Sequence, residues 1–224
     1  MEKISEKKSP TVGEVCVNLF NNLNHILVGF VSIYMTYGAF KTGYSILTLH
    51  AILCALGYQL LMAEGILALA PGNVWSYFFT RRTKTILHWV LQALGAIFAL
   101  TGMIVEYRNR NRHFRSIHAK LGLASGVFLI VTLVNGLTNL YSKELSRFIR
   151  PVFQRFFHNL MALCTFVLGM ASLYYGYEKR WVRNIASTEL CWMLKIFGIF
   201  TIFFSSIAAL RNGYEQLRNI VQRD

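Results

Sequence analysis

The amino-acid sequence predicts an all-α integral membrane protein with six transmembrane helices, of which the second to the fifth form a four-helix bundle. Of the 224 residues, 54% are apolar and the mean hydropathy is +0.42, which is too apolar for an ordinary soluble domain. A transmembrane helix needs about 20 mostly apolar residues, and six such stretches follow one another with short polar connections. They are residues 23–40, 44–70, 86–105, 117–140, 156–175 and 190–210.

The boundaries of these spans carry recognisable signals. A polar tail over about residues 1–21 lacks the early apolar core of a removable signal peptide, so we expect the first span to be retained. Pro71 and Gly72 close the second span, and Pro151 precedes the fifth, where a proline is tolerated at a helix start. A basic tail follows over about residues 211–224. One membrane domain over residues 1–224 is therefore expected.

The net charge of +13 is interpreted as a sign of membrane orientation and not of nucleic-acid binding, because the basic residues flank the spans. With the N-terminus inside, 13 basic residues fall on the inner side and 9 on the outer side, which favours both termini in the cytosol. The inner set is Lys3, Lys7, Lys8, Arg81, Arg82, Lys84, Lys143, Arg147, Arg150, Arg155, Arg211, Arg218 and Arg223; the outer set is Lys41, Arg108, Arg110, Arg112, Arg115, Lys120, Lys179, Arg180 and Arg183.

The cysteines and carboxylates do not indicate a metal site or a covalently attached haem. No CxxCH motif for covalent haem attachment occurs, and the four scattered cysteines are interpreted as small packing residues. Asp224 is the only aspartate. This scarcity of acids argues against a carboxylate-rich di-iron site, which needs several inward glutamates.

Four histidines, one near the start of each of four successive spans, are the strongest functional signal: His50, His88, His118 and His158. Ionisable side chains inside a membrane are costly and usually functional. Successive spans run antiparallel, so His50 and His118 share the outer leaflet while His88 and His158 share the inner leaflet. We interpret them as two bis-histidine pairs that hold two non-covalent b-type haems inside the bundle, the outer haem and the inner haem. The hydrocarbon core is about 30 Å thick, so two haems at these depths would bridge most of it.

The small residues near the histidines, and the histidines themselves, each allow a second interpretation. Small residues lie at helical spacing from the histidines and would let a flat macrocycle approach the backbone, although ordinary small-residue helix packing gives the same pattern. They are Cys54, Gly57, Gly95, Gly102, Gly122, Ser125, Gly126, Ala162 and Gly169. Zinc also binds histidine, but it would gather its ligands at one depth.

Two further histidines have no partner at matching depth. His25 is interpreted as an interfacial residue. His113 lies outside, five residues before His118, and is either a substrate contact beside the outer haem or a solvated loop residue. Glu64, near the inner end of the second span, is a residue that orients a ligand, moves a proton or is simply hydrated.

Four stretches of sequence resemble the cytochrome b561 family of six-helix, two-haem transmembrane electron carriers. They are HAILCALGYQLLMAEGILAL, HWVLQALGAIFALTGMIVE, SIHAKLGLASG and FHNLMALCTFVLGMASLYYGY. The run LLMAEGILAL is most similar to the short b561 domain-containing subgroup. The resemblance covers a haem-binding core of about residues 44–177, and the histidine spacings of 38, 30 and 40 residues are its most specific part.

The resemblance implies the same pairing of His50 with His118 and of His88 with His158. It also implies an ascorbate-dependent oxidoreductase that passes electrons from cytosolic ascorbate to monodehydroascorbate or a ferric chelate on the far side, and some members are homodimers. The chain departs from the better-studied members at Ile117–His118–Ala119, where they carry serine and tryptophan around the histidine.

The basic residues before the third and fifth spans are expected to form an inner ascorbate mouth, since an anion needs a cationic entrance. They are Arg81, Arg82, Lys84, Arg150 and Arg155. The alternative is that they set topology and meet lipid headgroups and haem propionates. At the level of the whole protein, the alternatives are a haem-bearing membrane subunit of a larger redox complex and a non-haem bundle or transporter.

Overall fold

The structure, a computed structural model, describes residues 11–222. Six long helices account for most of them, and each is long and apolar enough to cross a membrane. We number them α1 (Val12–Thr42), α2 (Ile46–Leu67), α3 (Arg81–Asn109), α4 (Ile117–Leu140), α5 (Pro151–Gly176) and α6 (Thr188–Val221). Between residues 11 and 222 there is no strand. The predicted all-α, six-helix, multi-pass membrane fold is confirmed.

Helix starts are fixed by local chemistry. Ser45, Thr80, Ser116 and Ser187 each accept a hydrogen bond from the backbone N–H three residues later, which satisfies a donor that the helix itself leaves unpaired. Pro151 opens α5 at a position where its missing N–H costs nothing. Two short elements complete the chain, a 3₁₀ turn (Glu144–Arg147) and a helix (Arg180–Ile185).

The middle of α2 is a π-helix over Ala55–Met62, between α-helical turns at Ile46–Cys54 and Ala63–Leu67. Gly57 lies in this segment, and a Cβ there would be 2.9 Å from the carbonyl oxygen of Gly95 in α3. The backbones of α2 and α3 therefore touch at this point, which only glycine permits. π-Helical segments are rare, and those that do occur frequently lie at functional sites.

The helices pack as two antiparallel hairpins. α2 packs closely on α3, α4 packs closely on α5, and the two hairpins together form the predicted four-helix bundle. α6 packs on α5 and α1, and α1 closes the group against α2. Trp181 Nε1 donates to Thr42 Oγ1 (3.0 Å), and Tyr34 OH donates to the carbonyl oxygen of Ile185 (2.7 Å), so the α5–α6 connection packs against α1 near its junction with α2.

The first helix is longer than the sequence predicts. α1 begins at Val12 and includes much of the expected polar tail, and two asparagines near the predicted start of the span find partners on other elements. Asn24 donates to Ser205 (3.0 Å), and Asn21 donates to Asn73 (3.4 Å). At the other terminus α6 continues through Val221, so most of the expected basic tail is helical. Lys3, Lys7, Lys8 and Arg223, which entered the topology prediction, lie outside the described residues.

Candidate functional site

The four predicted histidines lie on four different helices of the bundle and fall into two groups at opposite ends. His50 of α2 and His118 of α4 come together across the interface between the hairpins, with ring centres 6.0 Å apart and ring planes at 85°. Two metal–nitrogen bonds of about 2 Å each account for about 4 Å of that separation. The remainder is taken up by the rings themselves, so the gap accommodates one metal ion.

His88 of α3 and His158 of α5 lie at the other end of the bundle. The two side chains are close enough for His88 to act electrostatically on His158. We refer to the two ends as the His50–His118 end and the His88–His158 end. Among residues 11–222, no three or more His, Cys, Asp or Glu side chains come together as a metal site.

Three of the four rings are held through Nδ1 by a main-chain carbonyl. His50 Nδ1 donates to Gly102 O (2.9 Å), and His88 Nδ1 donates to Gly65 O (2.8 Å). His118 Nδ1 donates to Ser172 O (2.8 Å). Because a carbonyl can only accept, each of these rings carries its proton on Nδ1 and keeps the Nε2 lone pair for a metal.

The contacts within the α2–α3 hairpin are reciprocal. His50 on α2 is held by a glycine carbonyl of α3, and His88 on α3 is held by a glycine carbonyl of α2. Each of these two rings is therefore oriented by the neighbouring helix of its own hairpin.

His158 differs from the other three rings. Its Nδ1 is buried, and it has no hydrogen-bond partner within the described part of the chain. A Cβ at Gly136 would be 3.2 Å from His158 Cε1, and a Cβ at Gly176 would be 3.3 Å from His118 Cε1. Glycine thus makes room beside both rings of the α4–α5 hairpin. A buried ring nitrogen without a partner is costly, and it fits a ring that is fixed through its other nitrogen by a ligand.

The donor set therefore fits haem. Each end of the bundle brings together two imidazoles from facing helices, and three of the four bind main-chain oxygen through Nδ1, an arrangement that matches the axial ligands of b-type haem. Residues 49–183, more than half of the chain, match the eukaryotic cytochrome b561 family.

The chain belongs to the eukaryotic cytochrome b561 family.

Similar proteins agree with this membership. The chain is 27% identical over 161 residues to transmembrane reductase CYB561D2 of Homo sapiens, covering 70% of this chain and 71% of the relative. It is 26% identical over 159 residues to probable transmembrane ascorbate ferrireductase 4 of Arabidopsis thaliana, covering 69% and 64%. It is 30% identical over 104 residues to probable transmembrane reductase CYB561D1 of Mus musculus, covering 45% of each chain. No solved structure matches the chain.

These relatives confirm the resemblance to the b561 domain-containing subgroup. Membership implies b-type haem, and the protein is a multi-pass integral membrane member of its family.

Several glycines expected to face a haem instead hold helices of this b561 bundle together. Gly57 and Gly95 pack against each other's backbone. A Cβ at Gly169 would be 2.1 Å from the ring of Tyr58, so Tyr58 fills the space that this glycine leaves. Tyr58 OH is 2.7 Å from Ser125 Oγ, which donates in turn to the carbonyl oxygen of Thr165 (2.9 Å). For these positions the alternative of small-residue helix packing is correct.

The predicted substrate residues lie at the mouths of the bundle. Arg81, Arg82, Arg150 and Arg155 are exposed and Lys84 is half-buried, at the starts of α3 and α5 and thus at the His88–His158 end. His113 is exposed on the α3–α4 connection at the His50–His118 end, where its ring stacks on Tyr107 with centres 4.1 Å apart.

The prediction that His25 has no partner at matching depth is wrong. His25 Nδ1 lies 2.7 Å from Glu64 Oε1, and His25 Nε2 lies 2.7 Å from Asn73 Oδ1. The signal was present in the sequence, because α1 and α2 run antiparallel. An ionisable residue early in the first span and another late in the second therefore fall at the same end of the bundle.

Proposed function

We propose that this protein is a transmembrane electron carrier with two b-type haems, one held by His50 and His118 and the other by His88 and His158. The observation that carries the proposal is the arrangement of the four rings in two pairs at opposite ends, with three of the rings turned into the ligand form by main-chain carbonyls. When bound, haem supplies a one-electron couple at each end of the bundle.

The protein's own residues supply position and exclusion of water. Gly102, Gly65 and Ser172 fix the rings through their carbonyl oxygens. Within the bundle, Tyr58 of α2 is 2% exposed, and its ring packs against Gly169 of the other hairpin. A packed, dry interior lets an electron cross without opening a path for ions or protons.

We further propose that the His88–His158 end faces the cytosol and receives an electron from ascorbate. Arg81, Arg82, Lys84, Arg150 and Arg155 surround this end and attract an anionic donor. The name of the Arabidopsis relative, an ascorbate ferrireductase, supports this donor, and the name of the human relative supports a reductase. At the other end, monodehydroascorbate or a ferric chelate takes up the electron near His113.

The test is an absorbance spectrum of the purified single chain, followed by addition of ascorbate. We expect two haems per chain, both six-coordinate and low-spin, and both reduced by ascorbate without a partner protein. One haem per chain, or a high-spin spectrum, contradicts the ligation. Haem that is reducible only with a partner flavoprotein indicates a subunit of a larger complex, and a protein without haem indicates a different kind of bundle.

A further inference from the structure

A chain of hydrogen bonds joins α1, α2 and the α2–α3 connection at the His88–His158 end. Ser76 Oγ donates to Ala68 O (3.0 Å), so its lone pairs are left to accept from Asn73 Nδ2 (2.9 Å). This orients the Asn73 amide and places its oxygen 2.7 Å from His25 Nε2. The amide therefore presents an acceptor to the ring.

The other ring nitrogen also faces an acceptor. His25 Nδ1 lies 2.7 Å from Glu64 Oε1, while Trp75 Nε1 donates to Glu64 Oε2 (2.8 Å). Indole N–H can only donate, and a carboxylate can only accept. A ring with protons on both nitrogens satisfies every group in this network, whereas a neutral ring leaves one nitrogen facing an oxygen. With Glu64 ionised, the network therefore favours a His25 ring that carries both protons.

Such a network is unusual inside a membrane protein. The side chains of His25 and Glu64 are only 18% and 17% exposed, and both residues lie within membrane-spanning helices. Removing two charged groups from water is costly even when they are paired. Ionisable residues within transmembrane segments are for that reason functional by default.

The network is next to a predicted haem ligand. Gly65 follows Glu64 directly in α2, and its carbonyl oxygen accepts the hydrogen bond of His88 Nδ1 (2.8 Å). A change of charge at Glu64 and His25 therefore acts one residue from the main-chain group that orients His88. Charge at this position lies in a low-dielectric interior, where electrostatic effects are strong.

We propose that the His25–Glu64 pair is a proton-binding site linked to reduction of the haem held by His88 and His158. The inference rests on the proposed function, since it requires that haem. The pair takes one proton from water at the His88–His158 end when the iron gains one electron from the donor, and it releases that proton when the electron moves on. The negative charge that arrives is balanced by the positive charge that is bound.

The groups that contact the pair through hydrogen bonds are uncharged, while His88 and the basic residues at the start of α3 lie at the same end of the bundle. α6 packs nearby through the Asn24–Ser205 and Gln59–Thr201 hydrogen bonds, and α3 places the Gln92 amide beside Gly65. The connecting segment contributes Asn73, Trp75 and Ser76. Among residues 11–222, Glu64 is the one ionisable group that interacts with His25.

The experiment is a spectroelectrochemical titration of the purified holoprotein at several pH values between about 5 and 9, which covers the range where histidine titrates. The two haems are followed separately. We expect the potential of the His88–His158 haem to fall as pH rises, by at most about 59 mV for each tenfold drop in proton concentration. The potential of the other haem should depend less on pH.

Two variants assign the slope to the pair. Glu64→Gln and His25→Gln each remove one titrating group and keep the polar shape, and each should flatten the pH dependence. Trp75→Phe removes one donor to Glu64 and keeps both titrating groups, so it should move the pH range of the slope without abolishing it.

The matched control is Glu106→Gln, because Glu106 pairs with Arg110 near the other end of the bundle. It should leave the slope of the His88–His158 haem unchanged.

The outcomes separate this inference from the proposed function. A wild-type potential that does not vary with pH overturns the inference, and so does a slope that persists in both Glu64→Gln and His25→Gln. A uniform shift of potential with the slope intact assigns these residues a structural role only, and also overturns it. Loss of the proposed function would appear differently, as the absence of a second haem in the wild type.

Discussion

Single glycine residues set how closely the helices of this bundle approach. Gly57 lies where the backbone of α3 would meet any Cβ, and Gly169 lies where the Tyr58 ring does. The two contacts differ in kind, because a side chain can move and a backbone cannot. Tyr58 is itself tied to Ser125 by a 2.7 Å hydrogen bond, which limits how far its ring can retreat.

Gly169→Ala should therefore destabilise the protein. The new Cβ would be 2.1 Å from Tyr58 Cε1, and overpacking of this kind costs about 1–3 kcal/mol. The measurement is thermal unfolding of the purified protein by circular dichroism. The matched control is Gly29→Ala in α1, where a Cβ meets nothing within 4 Å and alanine favours the helix by about 0.8–1 kcal/mol. Equal melting temperatures for the two variants would contradict the predicted contact.

The histidine pairs make a second prediction at the residue scale. His50→Ala and His118→Ala should each remove the same spectral component of the reduced protein, because each deletes one proposed axial ligand of the same haem. His88→Ala and His158→Ala should each remove the other component. The measurement is the reduced-minus-oxidised difference spectrum of each variant. Loss of the same component in His50→Ala and His88→Ala would show that the pairs are assigned wrongly.

At the scale of elements, α6 carries a buried lysine within an otherwise apolar stretch of sequence. The side chain of Lys195 is 6% exposed and is hydrogen-bonded to Glu178 just beyond α5. The ammonium also lies 4.2 Å from the Trp192 ring centre and 5.0 Å from that of Tyr174. The hydrogen bond from Lys195, together with the nearby Arg183 and Lys179, lowers the pKa of Glu178. This ion pair ties the α5–α6 connection to the first turns of α6.

Glu178→Gln should lower the thermal stability at neutral pH, by about 1 kcal/mol or less because the carboxylate is partly exposed. A carboxyl group with a lowered pKa stabilises the fold above its unfolded pKa, and this stabilisation is lost as pH falls through the folded pKa. The difference between wild type and variant should therefore shrink below the ordinary glutamate pKa of about 4.3. Melting curves at several pH values check this.

The control for that variant is Glu215→Gln. Glu215 pairs with Arg211 on the exposed surface of α6, where the side chains are 58% and 75% exposed. Its removal should change the melting temperature little at any pH. An equal loss in both variants would mean that the buried ammonium of Lys195 does not depend on Glu178.

The elements could be predicted from sequence because hydropathy and histidine depth are local properties. All six spans, and the end of the bundle at which each of the four predicted ligand histidines lies, follow from them. The start of α1 could not be predicted, because Asn21 looks like a boundary residue until Asn73 is known to bind it. The pairing of His25 with Glu64 depends in the same way on side chains from different helices.

The molecule as a whole presents positive charge at both mouths of an apolar bundle. At the His88–His158 end, Arg81, Arg82 and Arg155 are exposed beside the starts of α3 and α5. Positive charge placed around an entrance raises the local concentration of anions and speeds their arrival. The effect is screened by salt over a Debye length of about 8 Å at physiological ionic strength. Attraction of the proposed anionic donor would therefore be a property of the assembled end and not of one side chain.

Lys84→Glu combined with Arg150→Glu should raise the ascorbate concentration needed for half-maximal reduction and leave the haem spectrum intact. The reason is that both changes reverse charge at the mouth without touching a ligand. The measurement is the rate of haem reduction by ascorbate at low and at physiological salt, and salt should weaken the wild-type rate more than the variant rate. Unchanged kinetics would show that these residues set topology only.

The reciprocal carbonyl contacts of the α2–α3 hairpin have a consequence for inherited variation. Every amino acid carries the same main-chain oxygen, so no codon change at Gly65 or Gly102 can delete the acceptor that orients His88 or His50. A mutation can therefore change the orientation of these two rings only by displacing a helix or by replacing the histidine itself. A saturation mutagenesis scan of the hairpin should therefore show harmful substitutions grouped by side-chain volume along the α2–α3 contact, with polarity of the new residue counting for less.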